Sequence, residues 1–208
     1  MRITKASAEA IKYACLKFHY SKSAPSNSLA AYNIYNQHDE WCGVILFGSG
    51  SNHHIGVQYG LLQGEIVELT RVALNGKQET TSKAVAMCLR QLHHDLPLCK
   101  LVVSYADTEH FHTGIIYQAT NWIYVGMSKQ NEKDCAIYIK GVLTHGRTIS
   151  AMVKKYKNED NLSRLELIQK YIDKNAIEHI AKGKHKYLYP LDTSIRKKVQ
   201  KLALPYPK

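Results

Sequence analysis

The chain has 208 residues, enough for one domain with its own hydrophobic core, or for one domain with an extension. Its five cysteines are scattered without a Cys-x-x-Cys pair, and no apolar run approaches the ~18 residues that span a bilayer, which excludes a disulfide scaffold and a helical membrane protein. The first residues also lack the apolar segment of a signal peptide, so we expect a cytoplasmic protein.

Positive charge is concentrated near the C-terminus. The chain carries 28 Lys and Arg against 17 Asp and Glu, a net charge of +11. Residues 145–208 hold fifteen basic and six acidic side chains, and therefore account for +9 of it. Such a segment is typical of nucleic-acid binding, although a solvated tail has the same composition. The jump in charge predicts a domain over residues 1–144 and a basic extension over residues 145–208 packed on it.

The first half of the chain alternates helical and strand-like patterns. Apolar residues recur every three to four positions over Ala8–Phe18, which predicts an amphipathic helix with Ser7 as its N-cap. Thr81 or Ser82 is expected to cap a second helix over residues 83–94. Runs rich in β-branched and aromatic residues predict a hairpin and a further strand. These strands cover Leu29–Tyr35, Trp41–Phe47 and Ile66–Leu74.

The second half continues the pattern and then changes character. The stretch Leu101–Gly126 is typical of a strand, a polar loop, a short helix and a second strand, and Cys135–Ile139 predicts one more strand. The order of elements predicts an α/β fold with a mixed central sheet, followed by a basic, mainly helical C-terminal extension. The predicted helices of that extension cover Ser150–Tyr156, Leu162–Asp173 and Ser194–Leu202, with residues 184–192 extended between them.

The stretch Leu101–Gly126 also predicts the site. Ser104 lies near the end of its strand, Asp107 follows that strand directly, and Tyr117 lies in the short helix. Open α/β sheets place their ligands at the carboxyl ends of parallel strands, so we expect these side chains to gather at one sheet edge.

Several motifs together resemble the phage Mom family of DNA adenine-modification proteins. The resemblance runs from the first helix to the last residue, and the motifs within Ser104–Asp107 and Gly114–Trp122 are its most specific part. It implies a fold of the GNAT (N-acetyltransferase) type. It further implies an enzyme that converts the N6 amine of adenine in DNA to an acetamido (methylcarbamoyl) form, which protects bacteriophage DNA from host restriction in the bacterial cytoplasm. The other matching segments are His19–Ser21, Gly64–Leu74, Gly183–Asp192 and Leu204–Lys208.

One segment departs from the acyltransferase pattern. GNAT enzymes hold the coenzyme A pyrophosphate on a glycine-rich loop that opens the helix after the central strand. Here that stretch is Asn75–Lys83, with a single glycine and with Glu79 where an anion would lie. We therefore expect no acyl-coenzyme A binding, and the donor stays unidentified. Two alternatives are an ordinary N-acetyltransferase of a small amine or protein, and a catalytically inert DNA-binding module.

The catalytic residues follow from position and from the resemblance. Tyr117 corresponds to a tyrosine with which N-acetyltransferases often protonate the leaving group, the alternative being a half-buried core tyrosine. Asp107 is a candidate base and Ser104 a candidate hydrogen-bond donor. Asp107 could equally be a turn or N-cap residue. Glu68, in a predicted central strand, is expected to line the site or to form a structural ion pair.

A loop and a histidine set complete the predicted site. His19 and Tyr20 lie on a loop that can cover it, with His19 as base or metal ligand. Adenine N6 is paired inside a duplex, so double-stranded DNA implies base flipping, with Tyr20 or Trp122 stacking on the base. The resemblance implies Fe²⁺, for which His19, Asp107 (or Glu68) and His112 are the candidate ligands.

For DNA contact we expect basic residues of the extension to neutralise phosphates. Tyr187 and Tyr189 are expected to pack the extension onto the domain. The sequence leaves open whether the protein is a monomer or a homodimer. The predicted DNA-binding residues are Lys184, Lys186, Arg196, Lys197 and Lys198.

Overall fold

The structure, a computed structural model, describes residues 1–50, 54–128, 136–156, 162–180 and 182–208. The chain forms two compact units. The first comprises Met1–Ala106, His112–Gly126 and His185–Lys208, and the second comprises Asp107–Phe111 and Met127–Lys184. The division predicted at residue 145 differs from this one, because the last 24 residues belong to the first unit.

The described residues contain ten strands and six α-helices. The strands are β1 Arg2–Lys5, β2 Ser28–Tyr35, β3 Trp41–Gly48, β4 Ile66–Leu74, β5 Leu101–Ala106, β6 Ile123–Met127, β7 Ala136–Ile139, β8 Val142–His145, β9 Ile177–Glu178 and β10 His185–Pro190. The helices are α1 Ala8–Phe18, α2 Thr81–Asp95, α3 Ile115–Gln118, α4 Gly146–Val153, α5 Arg164–Tyr171 and α6 Thr193–Gln200.

The first unit is built on a seven-stranded sheet in the order β1-β2-β3-β4-β5-β10-β6. Strand β4 pairs with β5 in parallel, whereas β1 with β2, β2 with β3, β3 with β4, and β10 with β5 are antiparallel. The predicted α/β fold with a mixed central sheet is confirmed.

The predicted extended stretch of residues 184–192 is found as β10, and α4, α5 and α6 overlap the three predicted C-terminal helices. The prediction that differs is that of a separate extension, because β10 belongs to the central sheet. Residues 185–190 lie inside the sheet beside β5, where Tyr187 and Leu188 are fully buried on opposite faces. A strand buried on both sides needs apolar or aromatic side chains at successive positions, which this segment has despite its flanking lysines. The buried aromatic and apolar side chains of residues 185–190, rather than the charge of the segment, explain why it lies inside the sheet.

Local signals explain the helices that pack on the sheet. Helix α1 has the predicted bounds, and the Ser7 hydroxyl accepts the N–H of Ala10 as predicted. Helix α2 begins at Thr81, but its N-cap is Thr80 rather than Thr81 or Ser82.

Adjacent residues of the central strand β4, Ile66 and Val67, point into two different hydrophobic cores, as the two-residue strand period requires.

The second unit has its own core. Strands β8, β7 and β9 form a three-stranded antiparallel sheet, with helices α4 and α5 in the same unit. Ile137, Ile149 and Ile168 are fully buried there. The predicted strand Cys135–Ile139 is found as β7, and Cys135 itself lies outside the described residues. No helix in the described part of the chain is long and apolar enough to cross a membrane.

Candidate active site

Strands β4 and β5 separate within the sheet, and the candidate site lies where they do. They pair only between Ile66–Glu68 and Leu101–Val103, although β4 continues to Leu74. On its other side β4 stays paired with β3 through a bulge, which leaves Thr70 without an opposite residue. Because a bulge bends and twists its strand, it accounts for the separation of β4 from β5 beyond Glu68.

Ser104 bridges the opening. Its Oγ lies 2.9 Å from the carbonyl oxygen of Leu69 and 2.8 Å from the hydroxyl oxygen of Tyr117. A serine hydroxyl carries one proton, and a carbonyl oxygen can only accept. All three groups are satisfied when Ser104 donates to Leu69 and Tyr117 donates to Ser104. The sequence placed Ser104 and Tyr117 together, but no signal in it indicates the Leu69 carbonyl, which belongs to the backbone.

Tyr117 is held in an aromatic environment. Its ring centroid lies 5.1 Å from that of Trp122 and 4.9 Å from that of Tyr187. Burial raises the pKa of the Tyr117 phenol to about 12, with the charges of Tyr20 and Glu68 adding to the increase. The phenol is therefore protonated near neutral pH and can give a proton, but it is a poor general base.

Gly114 allows Tyr187 to approach the start of α3, which carries Tyr117. Its φ is +84°, and a Cβ at this position would lie 2.4 Å from the Tyr187 ring. The Tyr187 hydroxyl donates to the carbonyl oxygen of Thr113. Sequence reasoning correctly expected Tyr187 to pack against the domain, but it missed that this packing positions α3. Gly114, which directly precedes the predicted short helix, is the sequence feature that could have indicated this close approach.

The loop after α1 carries two of the predicted residues. His19 Nδ1 accepts the backbone N–H of Ser21 at 3.1 Å and lies 2.8 Å from its hydroxyl. Because Nδ1 is an acceptor, the proton of the neutral ring is on Nε2, and His19 acts as a donor rather than as a base. The Tyr20 ring lies 4.3 Å from that of His19 and 5.6 Å from that of His112.

The aromatic candidates for base stacking differ in exposure. Tyr20 is 44% exposed, whereas Trp122 is fully buried and packs against Tyr117 and Tyr189. A buried ring cannot stack on an incoming base, so Trp122 is excluded from the predicted role. Glu68 is half-buried beside Gly50, and its charge contributes, after burial, to the raised pKa of Tyr105 as well as of Tyr117.

Asp107 belongs to the second unit, where it fills the turn role. Its carboxylate accepts the N–H of Glu109 at 3.1 Å and pairs with Lys184 Nζ at 2.7 Å. Burial raises the pKa of Asp107, but the hydrogen bond and charge of Lys184 outweigh burial, and the net pKa is lowered. A carboxylate held in this way is a weak base, which argues against the predicted catalytic role.

The predicted iron ligands do not fit a metal site. In the part of the chain that the structure describes, no three His, Cys, Asp or Glu side chains gather around one point. His19 ligation through Nε2 would remove the last ring proton while Nδ1 accepts from Ser21, and Asp107 is already paired with Lys184. His112 contacts Tyr20 instead. No chemical step is therefore assigned to iron.

The predicted DNA-binding residues differ in their surroundings. Lys184 is paired in the second unit, and Lys186 is half-buried on β10 with Nζ 5.1 Å from the centre of the Tyr59 ring. On α6, Arg196, Lys197 and Lys198 are exposed. Lys198 donates to the carbonyl oxygen of Tyr59 at 2.6 Å, and Arg196 donates to that of Pro190 at 3.3 Å. Successive helical positions are ~100° apart, so these three side chains point in different directions.

A pocket of about 350 Å³ opens beside the first turn of α2. It is polar, but the helix terminus there is already occupied. The Thr80 hydroxyl accepts the Lys83 N–H at 3.2 Å, and Glu79 pairs with the amino group of Met1 at 3.2 Å. Part of the donor set that would bind a pyrophosphate is thus satisfied within the chain. The pocket is lined by Ser82, Lys83, Ala86, Leu89, Ala119, Thr120, Asn121 and Tyr189.

Comparison with known proteins gives one family and several similar structures. The Mom protein family matches residues 1–208. No curated protein matches the sequence. An acetyltransferase from Bacillus subtilis in complex with CoA is 10% identical, with a TM-score of 0.44 over 92% of this chain and 99% of that one. A spermidine/spermine N-acetyltransferase from Vibrio cholerae is 7% identical, with a TM-score of 0.45 over 94% and 98% of the two chains.

Proposed function

The chain belongs to the Mom protein family, and on that basis we propose that it modifies the N6 amine of adenine in double-stranded DNA. The product is the acetamido (methylcarbamoyl) form, and the modification protects bacteriophage DNA from host restriction enzymes. The protein is accordingly proposed to be a transferase with a GNAT-type fold that acts in the cytoplasm of the bacterial host.

The hydrogen bond between Tyr117 and Ser104 supports the group-transfer part of this proposal. Transfer of a group to an amine needs a proton for the leaving group, and the neutral Tyr117 phenol provides one. Before transfer the Tyr117 O–H donates to Ser104, and it turns to the leaving group to deliver its proton. Ser104 then redirects its own O–H from the Leu69 carbonyl to the phenolate oxygen, which stabilises the negative charge. The opening between β4 and β5 gives the reacting groups their space.

Tyr20 is the proposed stacking surface for the flipped adenine. Its ring is half-exposed and is supported from behind by the His19 ring, which limits its rotation. Base–aromatic stacking is tolerant of geometry and is available to any base that has left the duplex. Exposed Arg196 and Lys197 on α6 are the proposed phosphate contacts.

A restriction assay tests the proposal. Plasmid DNA from a bacterial host that expresses the chain should resist cleavage by enzymes whose recognition sites contain adenine, and should remain sensitive to enzymes whose sites contain only guanine and cytosine. Uniform sensitivity in the presence of well-expressed, folded protein would contradict the proposed function.

An ordinary N-acetyltransferase is the second candidate, favoured by the polar pocket beside Lys83 at the start of α2. Titration with coenzyme A distinguishes the two. Saturable binding that is lost in Lys83→Glu would support an acetyltransferase. The absence of binding is expected if the occupied helix terminus excludes the pyrophosphate.

A further inference from the structure

Phe111 is an exposed aromatic residue on a strained backbone. Its side chain is 93% exposed, and its φ is +57°. A bulky residue rarely adopts this left-handed conformation, because it costs free energy, and an exposed phenyl ring gains none from packing within the chain. Neither feature helps the protein to fold.

The turn that carries Phe111 is firmly held within the second unit. The Phe111 N–H donates to the carbonyl oxygen of Thr108 at 3.1 Å, and the Thr108 hydroxyl donates to the carbonyl oxygen of Gly183 at 2.9 Å. The carboxylate of Glu109 lies 3.1 Å from His179 Nε2 and accepts the N–H of Lys182 at 3.2 Å. With the Asp107–Lys184 ion pair, these bonds present the ring on a fixed turn.

The same bonds make the turn compatible with a polyanion, because they satisfy its two carboxylates. Asp107 and Glu109 would repel phosphates, but the first is paired with Lys184 and the second is hydrogen-bonded to His179. Lys182 beside them is exposed. With both carboxylates satisfied and Lys182 exposed on the same unit, an exposed apolar ring on this turn matches duplex DNA better than an apolar protein surface.

We propose that Phe111 inserts into the base stack of duplex DNA and occupies the space that the target adenine leaves when it flips out. This role rests on the proposed modification of adenine in DNA. Apolar side chains that enter between base steps unstack them, which lowers the free energy of extruding the neighbouring nucleotide. In the sequence, Phe111 directly precedes His112, whose ring contacts the proposed stacking residue Tyr20.

Fluorescence of 2-aminopurine tests the role directly. The full-length protein is added to a duplex with 2-aminopurine at the target position, and binding is followed separately by the anisotropy of a label at the duplex end. The wild type should increase the 2-aminopurine signal, whereas Phe111→Ala should bind but show only a small part of the increase. Phe111→Leu, which keeps an apolar wedge, should restore much of it. Leu98→Ala is the matched control, since Leu98 is also an exposed apolar residue, at 76% exposure.

The corresponding change in cells is a smaller amount of modified adenine. Phe111→Ala should reduce the modified fraction on the order of tenfold, because no side chain then offsets the free energy of unstacking. A duplex in which the target adenine lies opposite an abasic site should bind Phe111→Ala and wild type equally well. An unchanged 2-aminopurine increase and an unchanged modified fraction in Phe111→Ala would overturn the wedge while leaving the proposed function intact. A wild type that neither binds DNA nor modifies adenine would overturn both.

Discussion

The hydroxyl oxygens of Ser104 and Tyr117 lie 2.8 Å apart at the point where β4 and β5 stop pairing. Ser104 also reaches the Leu69 carbonyl, so one serine completes the interrupted backbone ladder and orients the tyrosine. This arrangement links the fold to the chemistry, because the Leu69 carbonyl lies between the end of the β4–β5 pairing and the bulge at Thr70, and Ser104 donates to it there.

Ser104 and Tyr117 should be energetically coupled. Ser104→Ala leaves the Leu69 carbonyl and the Tyr117 hydroxyl without their partner, and should lower the free energy of unfolding by about 1–3 kcal/mol. In a double-mutant cycle with Tyr117→Phe, the coupling energy should be about 1 kcal/mol. Urea unfolding of the four proteins measures it. Tyr32→Phe, which removes a hydrogen bond to Asp95 elsewhere in the core, should show no coupling to Ser104→Ala.

A side chain at Gly114 should destabilise the protein more than a side chain at Gly76, a glycine with nearly the same φ. Gly114→Ala brings a Cβ against the Tyr187 ring, whereas Gly76 has nearly the same φ, +86°, with nothing within 4 Å. Both substitutions strain the backbone, so their difference isolates the contact. We expect Gly114→Ala to cost about 1–3 kcal/mol more than Gly76→Ala in thermal or urea unfolding. Equal costs would show that Tyr187 does not position α3.

The Asp107–Lys184 pair should make stability depend on pH. The pKa of Asp107 is lowered in the folded state, so the pair stabilises the protein above the ordinary carboxyl pKa, and this contribution is lost as the pH falls through the folded value. Lys184→Met should therefore destabilise the protein most near neutral pH, and the difference from wild type should shrink as the pH falls below 3.8. Lys182→Met is the control and should show a much smaller, flatter difference. A Lys184→Met effect independent of pH would contradict the pairing.

Helix α6 should contribute to DNA affinity through Arg196 and Lys197. Replacing both with Glu should weaken binding and reduce the slope of log affinity against log salt by about 2, close to one unit for each phosphate that is no longer neutralised. Lys198 is left intact, because its ammonium group is held by the Tyr59 carbonyl at 2.6 Å. Arg196 also donates to the Pro190 carbonyl, at 3.3 Å, but its guanidinium has further N–H groups for a phosphate. The charge-matched control replaces Lys12 and Lys17 of α1 with Glu. Similar weakening in both variants would mean that net charge alone, and not α6, determines binding.

Local patterns predicted much of this structure, and pairing between distant segments explains most of what they missed. Helix α1 was predicted to the residue because its apolar period and the Ser7 cap lie within one short segment. Ser104 and Tyr117 were predicted together because a single strand–loop–helix segment contains both. Three features were not predicted from the sequence: the insertion of β10 beside β5, the bulge at Thr70, and the pairing of Asp107 with Lys184. Each depends on a neighbour that only the folded chain supplies.

The charge of the last third shows the same limit. Counting lysines placed residues 145–208 in one extension, but residues 185–208 return to the first unit and supply Tyr187 against Gly114. Composition gives the net charge of this segment, but no information about which of its side chains are buried.

Mass spectrometry of nucleosides from host DNA tests the central claim most directly. Plasmid DNA from cells expressing the wild type should contain a deoxyadenosine species with the mass of an acetamido adduct. Tyr117→Phe should reduce that species on the order of a hundredfold, as expected when a general acid is removed. Tyr32→Phe, another buried tyrosine with a hydrogen-bonded hydroxyl, should leave its amount unchanged. Undiminished adduct from a folded Tyr117→Phe protein would contradict the role of Tyr117, and unmodified DNA from the wild type would contradict the proposed activity itself.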